Sequence, residues 1–294
     1  MDHYVVFILG TAWCGSSLLN LLLGTQRQIC GLGEVSDFRD INRATIRCAR
    51  CRSHIKHCKL ANIIKPQQFY SSLFNAFPAY TVIVDSSKNW WSIGRNFVVE
   101  SNIVYQAVVL SKAPHEFVAS YCSRKVGTVA QGFAEWLGIY NHIFECLERY
   151  RDRGTVLPSI AESHVVPVTY RQMVRDPSGT VTYICNTLGH PCDVSLVANW
   201  HNMPNHCVIG GNPSVFDQLV GDHQRFTTQS SKYYGKMHRV FEDRSWIQNK
   251  DILRECIECY RRDDWIPHLN RLLKLLNQPN LQDLQSEVSN AIGL

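Results

Sequence analysis

The sequence predicts an α/β fold, a parallel sheet flanked by helices with a helical C-terminal part, and two observations carry that prediction. Four short apolar segments rich in β-branched residues show no polar alternation, which is the pattern of strands buried on both faces. Stretches with helical periodicity lie between them, so strand, crossover helix and strand recur over the first 190 residues.

The strands are placed at Tyr4–Leu9, Tyr80–Val84, Ile103–Leu110 and His164–Thr169. Helices are placed at Ser16–Leu23, at about Pro114–Arg124 and at Val129–Arg151. Another, Pro177–Leu188, has Asp176 as N-cap, proline in its first turn and Gly189 as its stop. Asn199 to Tyr234 contains Gly210-Gly211-Asn212-Pro213 and several histidines with little periodicity, and reads as a long ordered loop of the kind that carries function. Helices follow at about Arg244–Tyr260, Trp265–Asn277 and Leu281–Leu294. There is no internal repeat, low-complexity tract or linker, so residues 1–294 are taken as a single domain.

With 45% hydrophobic and 19% charged residues the chain can bury a sizeable core, which excludes disorder as its main state. Thirty Lys and Arg against 25 Asp and Glu leave a charge of +5 without a block of like charges. That balance suits an anionic small molecule, and nucleic acid is not an expected partner. No apolar run approaches the roughly 18 residues that cross a bilayer, so no transmembrane segment is expected. Asp2 stands where a signal peptide needs positive charge, and Trp13 before Cys14 spoils a lipoprotein cleavage site. The start is therefore read as a first strand, the location as cytoplasmic, and the 12 cysteines as mostly reduced thiols.

Gly10-Thr-Ala-Trp13-Cys14-Gly15-Ser16-Ser17 follows the first strand and opens a helix. Glycines there let the backbone curl, and free N–H groups with the helix N-terminus surround an anion. The fold expected is thus of the phosphate-loop (P-loop) type; a small-residue turn without a ligand is the plain alternative. A nucleoside triphosphatase has Lys where this chain has Ser16, which argues against ATP or GTP hydrolysis. Asp85, at the end of the second predicted strand, could pass for a magnesium-binding carboxylate, but a strand ending in Asp is a common accident.

The run Leu9 to Leu19, with Gly31-Leu-Gly33-Glu34 after it, resembles the 5′-phosphosulfate loop of the sulfotransferases, G-x-x-R-S-G-[ST]-[ST]-x-L. These enzymes use 3′-phosphoadenosine-5′-phosphosulfate (PAPS) and release 3′-phosphoadenosine-5′-phosphate (PAP). The resemblance is nearest to the bacterial-type and tyrosylprotein sulfotransferases, where a Gly-Glu pair follows the loop helix. Two residues depart from it: Trp13 stands where a cation is usual and Cys14 where Ser is usual. Asp85-Ser86-Ser87-Lys88 is similar to the bacterial D-S-S-K segment. Leu110-Ser-Lys112-Ala113-Pro114 through Ser120 resembles L-x-R-D-P-x-x-x-x-x-S, with Lys112 for Arg and Ala113 for Asp. Arg124 lies four residues beyond Ser120 on the same helix face.

Val168-Thr-Tyr170 through Pro177 is similar to R-Y-E-x-L-x-x-D-P, His206 through Gly211-Asn212-Pro213 to H-x-x-x-G-N-P, and Asp243-Arg-Ser-Trp246 to D-x-x-W. The resemblance implies that Trp13, Cys14, Gly15, Ser16 and Ser17 line the 5′-phosphosulfate, and that Lys112, Ser120 and Arg124 meet the 3′-phosphate. It further implies that Tyr170, Gly211 and Asn212 contact the nucleotide, that Glu34 is the general base and that Lys88 stabilises the leaving oxygen. Without the resemblance, Ser120 and Tyr170 are a helix-face and a strand-end residue, Gly211-Asn212-Pro213 an ordinary turn, Lys88 and Lys112 solvated lysines, and Glu34 a surface carboxylate after a turn.

The reaction implied is in-line transfer of a sulfuryl group to a hydroxyl or amine of a small molecule, glycan or lipid, with protein acceptors also open. Trp90 and Trp91 could stack on such an acceptor or belong to the core. A non-catalytic nucleotide-binding relative and a P-loop kinase are the alternatives. Cys48, Cys51 and Cys58 form a possible structural zinc half-site, with Cys30, His54 or His57 as a fourth ligand; an unmetallated thiol-rich insertion is the other reading.

Overall fold

The computed structural model describes residues 2–34, 68–88, 100–124, 126–153, 164–198, 200 and 249–293. Their strands are β1 (His3–Leu9), β2 (Ile29–Gly33), β3 (Val82–Lys88), β4 (Ile103–Ser111) and β5 (Val165–Thr169). They form one sheet in the order β2-β3-β1-β4-β5, and every pairing is parallel. The central strand β1 explains the continuous apolar run: Val5, Phe7 and Leu9 enter one core, Val6 and Ile8 the other.

On the first face pack α2 (Phe69–Ala76), α3 (Pro114–Ser123) and α4 (Val129–Arg153), with α8 (Lys250–Tyr260), α9 (Ile266–Leu275) and α10 (Leu281–Ile292) outside them. On the second face lie α1 (Ser16–Leu23), α5 (Tyr170–Arg175), α6 (Pro177–Leu188) and α7 (Val194–Val197). The stripe Phe133, Trp136, Tyr140 and Phe144 on α4 recurs at the helical period and is buried. Its polar tips reach the end of β4: Tyr140 Oη donates to the Leu110 carbonyl at 2.8 Å and Trp136 Nε1 to that of Lys112 at 3.1 Å.

Helices α1 and α6 occupy the predicted ranges, and the Asp176 carboxylate caps α6 by accepting from Gly179 N at 2.8 Å. Two expectations are corrected. Gly31–Gly33, read as a turn, belongs to β2; pairing with β3 and a bond from Gly33 N to Asn20 Oδ1 at 3.2 Å override the low strand propensity of glycine. The strand expected at Tyr80–Val84 starts at Val82, because a turn closes with Tyr80 N on Phe77 O, and it runs on through the polar Asp85-Ser86-Ser87-Lys88. The alternative reading of Tyr170 as a strand-end residue is corrected too: it opens α5, whose N-cap Thr169 Oγ1 accepts from Gln172 N at 3.0 Å.

Six of the eight described cysteines are buried. Among the described residues no helix is long and apolar enough to cross a membrane. Trp90, Trp91, Gly211, Asn212, Cys48, Cys51, Cys58 and most of the predicted 199–234 loop lie outside the described residues.

Gly10 ends β1 where the chain has no room to spare: a β-carbon there would lie 2.4 Å from the Leu110 carbonyl oxygen. Gly10→Ala must push β1 and β4 apart, and is expected to cost about 1–3 kcal/mol in urea unfolding. A variant as stable as the native protein would show that this contact relaxes freely.

Candidate functional site

All five strands point their carboxyl ends to one edge, and each delivers a candidate residue there. β1 runs into the 10–17 loop, β2 into Glu34, β3 into Lys88, β4 into Lys112 and β5 into Tyr170. β1 is also where the sheet order reverses, between β3 and β4, and the crevice outside such a switch point is the usual ligand site of open parallel sheets.

The loop curls onto α1 through two left-handed residues, Trp13 with φ 58° and Gly15 with φ 98°. At Gly15 a side chain would be both strained and blocked, since a β-carbon would lie 2.7 Å from the Tyr170 ring. Cys14 is fully buried, and its sulfur lies 3.1 Å from a β-carbon built at Gly10, so its side chain faces the core. Burial pushes its thiol up, while the charges of Lys88 and Lys112 pull the other way. Cys14 can therefore serve an anion only through its backbone. Gly15, Ser16 and Ser17 stand at the positive end of α1, whose first turn holds no acidic residue.

The carboxylate of Glu34 and the ammonium of Lys88 form an ion pair across the ends of β2 and β3. Their side chains keep 18% and 20% of their exposure, so the pair is reachable from the crevice. Two local devices set it. Asn20 on α1 holds Gly33, the residue before Glu34. On β3, three residues span the register that two cover on β1, and Lys88 beyond this bulge is left-handed with φ 73°. Buried Asp85 stabilises the bulge, accepting from Ser87 N at 2.8 Å, from Ser87 Oγ at 2.5 Å and from Tyr70 Oη at 2.8 Å. That set of partners gives Asp85 a structural role at the bulge.

Across β1, Lys112 places its Nζ 4.5 Å from the centre of the Tyr170 ring. Burial lowers its pKa, the carboxylate of Glu116 opposes that, and the nearby charge of Arg124 adds to it. Arg124 in turn lies over the Trp13 ring at 4.9 Å and donates from one nitrogen to the Ser120 carbonyl at 3.1 Å. Ser120 Oγ donates within its own helix to Glu116 O at 3.1 Å. The fold thus brings together Trp13, Gly15, Ser16, Ser17, Glu34, Lys88, Lys112, Arg124 and Tyr170 at one edge.

Sequence reading missed the scaffold behind Lys112. The guanidinium of Arg171 bonds Glu116 Oε1 at 2.8 Å and both carboxylate oxygens of Glu287 on α10, at 2.8 and 2.7 Å. Burial opposes its charge, but the hydrogen bonds and charges of the two glutamates outweigh this and hold its pKa above the ordinary arginine value. Glu116 also accepts from Ala113 N at 3.2 Å, so α10 reaches through Arg171 to the turn that carries Lys112. His115, fully buried, bonds Tyr260 Oη at 2.8 Å. The only local signals in the sequence are Thr169-x-x-Gln172, a helix-start pattern, and Asp85-x-Ser87, a side-chain turn pattern. Arg171 and Glu287 are 116 positions apart and leave no local trace.

Among the described residues no group of three or more His, Cys, Asp or Glu could hold a metal ion. Cys30, offered as a fourth zinc ligand, is buried in the β2 core.

No family model and no curated protein matches the sequence. Solved structures do match the fold. The sulfotransferase domain from the curacin biosynthetic pathway superposes with a TM-score of 0.50 at 15% identity, over 78% of this chain and 98% of that one. The sulfotransferase domain from the Synechococcus PCC 7002 olefin synthase gives 0.46 at 15% identity, over 75% and 88%. A sulfotransferase from Alicyclobacillus acidocaldarius gives 0.42 at 15%, over 93% and 96%. The chain has the fold of a sulfotransferase domain.

Burial lowers the pKa of His115 to about 3 from 6.5, the Glu287 carboxylate opposing that fall and the Arg171 charge adding to it. Between those values the unfolded chain binds a proton that the folded chain refuses, so stability is full above about pH 6.5 and is lost as pH falls toward 3. One such group contributes a slope of about 1.4 kcal/mol per pH unit. His115→Gln is expected to flatten the stability profile between pH 6 and 4 by about that amount. An unchanged slope would mean that the folded imidazole takes up its proton normally.

Proposed function

We propose that this protein is a sulfotransferase that moves a sulfuryl group from PAPS to a hydroxyl, or an amine, of an acceptor molecule. The observation that carries the reading is the Glu34–Lys88 pair, a base and a cation set together beside the phosphate loop at the edge where three lysine and arginine side chains converge.

The acceptor oxygen attacks the sulfur in line with the bridging oxygen, and its proton passes to a carboxylate oxygen of Glu34. A new S–O bond forms to the acceptor while the bond from sulfur to the 5′-phosphate oxygen breaks. That oxygen keeps the electron pair, and PAP leaves with the added charge. Lys88 meets this charge, with the N–H groups at Gly15, Ser16 and Ser17 behind it. Proton transfer to Glu34 also frees Lys88 from its ion pair as the leaving oxygen becomes negative, so the two events support each other. Lys112 and Ser120 on the β4–α3 side are the groups offered to the 3′-phosphate, and Tyr170 packs between Lys112 and the loop. Small molecules are the first acceptor class to test, with glycans, lipids and proteins after them.

A second reading, a nucleotide-binding protein without catalysis, draws on the same pair, because Glu34 and Lys88 neutralise each other at rest. A kinase reading has neither a lysine at Ser16 nor an available carboxylate at Asp85.

Incubation with PAPS and a panel of phenolic, sugar and aliphatic alcohols, reading PAP release, separates the two surviving readings. Native protein is expected to release PAP with at least one acceptor class. Glu34→Gln is expected to lower that rate at least about a hundredfold while PAP affinity stays within a few-fold. Near-native turnover by the variant would remove Glu34 from its role, and PAP binding without any turnover by native protein would favour the non-catalytic reading.

A further inference from the structure

The phosphate loop carries no cation of its own, yet a guanidinium lies over it. Trp13 adopts a left-handed backbone that bulky residues seldom take, which marks the position as held by its surroundings. Its ring stacks on Phe117 with centroids 6.2 Å apart and meets Tyr121 edge-on at 6.4 Å. Arg124 lies 4.9 Å from the ring centre. Phe117, Tyr121 and Arg124 all belong to α3 or its C-cap, so a single helix both fixes the indole and supplies the cation. Arg124 is exposed, and among the described residues one carbonyl, that of Ser120, accepts from it and no carboxylate pairs with it. The charge of Arg124 also reaches Lys112, and the charges of Lys112 and Lys88 reach Cys14 within the loop. Lys88 has Glu34 as its counter-ion, whereas no carboxylate contacts Arg124 among the described residues, which leaves its charge open to an anion beside the loop.

We propose that Trp13 is a positioning residue that holds Arg124 beside the phosphate loop, and that this stacked pair supplies to the loop's own phosphate the charge that the loop lacks in sequence. The indole gives the guanidinium a flat surface and removes much of its rotational freedom, so less entropy is lost when it meets an anion. The ligand class is the 5′-phosphate end of an adenine nucleotide. The inference rests on the sulfotransferase reading for its choice of nucleotide, and on the geometry of Trp13 and Arg124 for everything else.

Calorimetry with PAP, adenosine 5′-phosphate and adenosine 3′-phosphate tests it, using Trp13→Ala, Trp13→Phe, Arg124→Ala, the double variant Trp13→Ala/Arg124→Ala, and Trp13→Lys combined with Arg124→Ala. Thermal midpoints accompany each variant. Trp13→Ala and Arg124→Ala are each expected to weaken PAP and adenosine 5′-phosphate by about tenfold, with adenosine 3′-phosphate unaffected. The double alanine variant should be no weaker than Arg124→Ala alone, because the two residues act as one unit. Trp13→Phe should keep most of the affinity. Trp13→Lys should recover what Arg124→Ala loses, since a lysine in the loop puts the charge back without the stack. A purely structural tryptophan would give no such recovery.

Additive losses, or native affinity in Trp13→Ala, would overturn the proposal while leaving the nucleotide reading intact. A loss confined to adenosine 3′-phosphate and PAP would overturn it too, by moving Arg124 to the other phosphate. Failure of the native protein to bind PAP or adenosine 5′-phosphate at all would overturn both the sulfotransferase reading and this one.

Discussion

The site depends on how the central strand ends. Gly10 sits against the Leu110 carbonyl of β4 on one side and donates from its N–H to the Lys88 carbonyl of β3 at 3.0 Å on the other. With both neighbours fixed at that point, the chain can leave the sheet only by curling outward, and the curl is the phosphate loop. The same contact sets where Lys88 and Lys112 stand, because each follows directly from the strand that Gly10 touches. Polar tips from α4 then hold β4 at Leu110 and Lys112, so the register of the site is fixed from the helical layer as well.

Electrostatics follow from this geometry. Three cations gather around one loop, and one of them, Lys88, has a carboxylate in contact with it, that of Glu34. The other carboxylates at hand are occupied elsewhere: Glu116 and Glu287 by Arg171, and Asp85 by Ser87 and Tyr70. Acids that are already paired do not compete for the cations that an incoming anion needs, so the positive field of α1 and of Lys112 and Arg124 remains available to a ligand. Desolvation of Lys112 is the strain this arrangement carries, and a bound phosphate would relieve it.

Much of the fold was legible in the sequence because burial on both faces writes long apolar runs, and β1, β4 and β5 carry them. Asp176, Pro177 and Gly189 bracket α6 by capping chemistry that needs no partner from outside the helix. β2 was not legible: its two glycines read as a turn, and only Asn20 and β3, remote in sequence or supplied by the sheet, make it a strand. The same division runs through the site. Gly15, Ser16 and Ser17 announce themselves by spacing along one loop; Glu34 is marked by its place after the loop helix and by a family resemblance, Lys88 by the resemblance, and their contact across 54 positions only by the fold. Arg171, Glu287 and His115 act through contacts across the chain, which no local pattern encodes. Trp13 looked like a lost cation, and its stack with Arg124 is visible only once α3 is folded against the loop.

We propose that this edge of the sheet holds a nucleotide bearing both a 5′- and a 3′-phosphate. Calorimetric titration of the native protein with PAP in the absence of magnesium, with ATP as the comparison, tests it most directly. Micromolar binding of PAP and at least about tenfold weaker binding of ATP are expected, because the loop lacks the lysine that reaches a triphosphate. Equal affinity for the two nucleotides, or no binding of PAP, would contradict it.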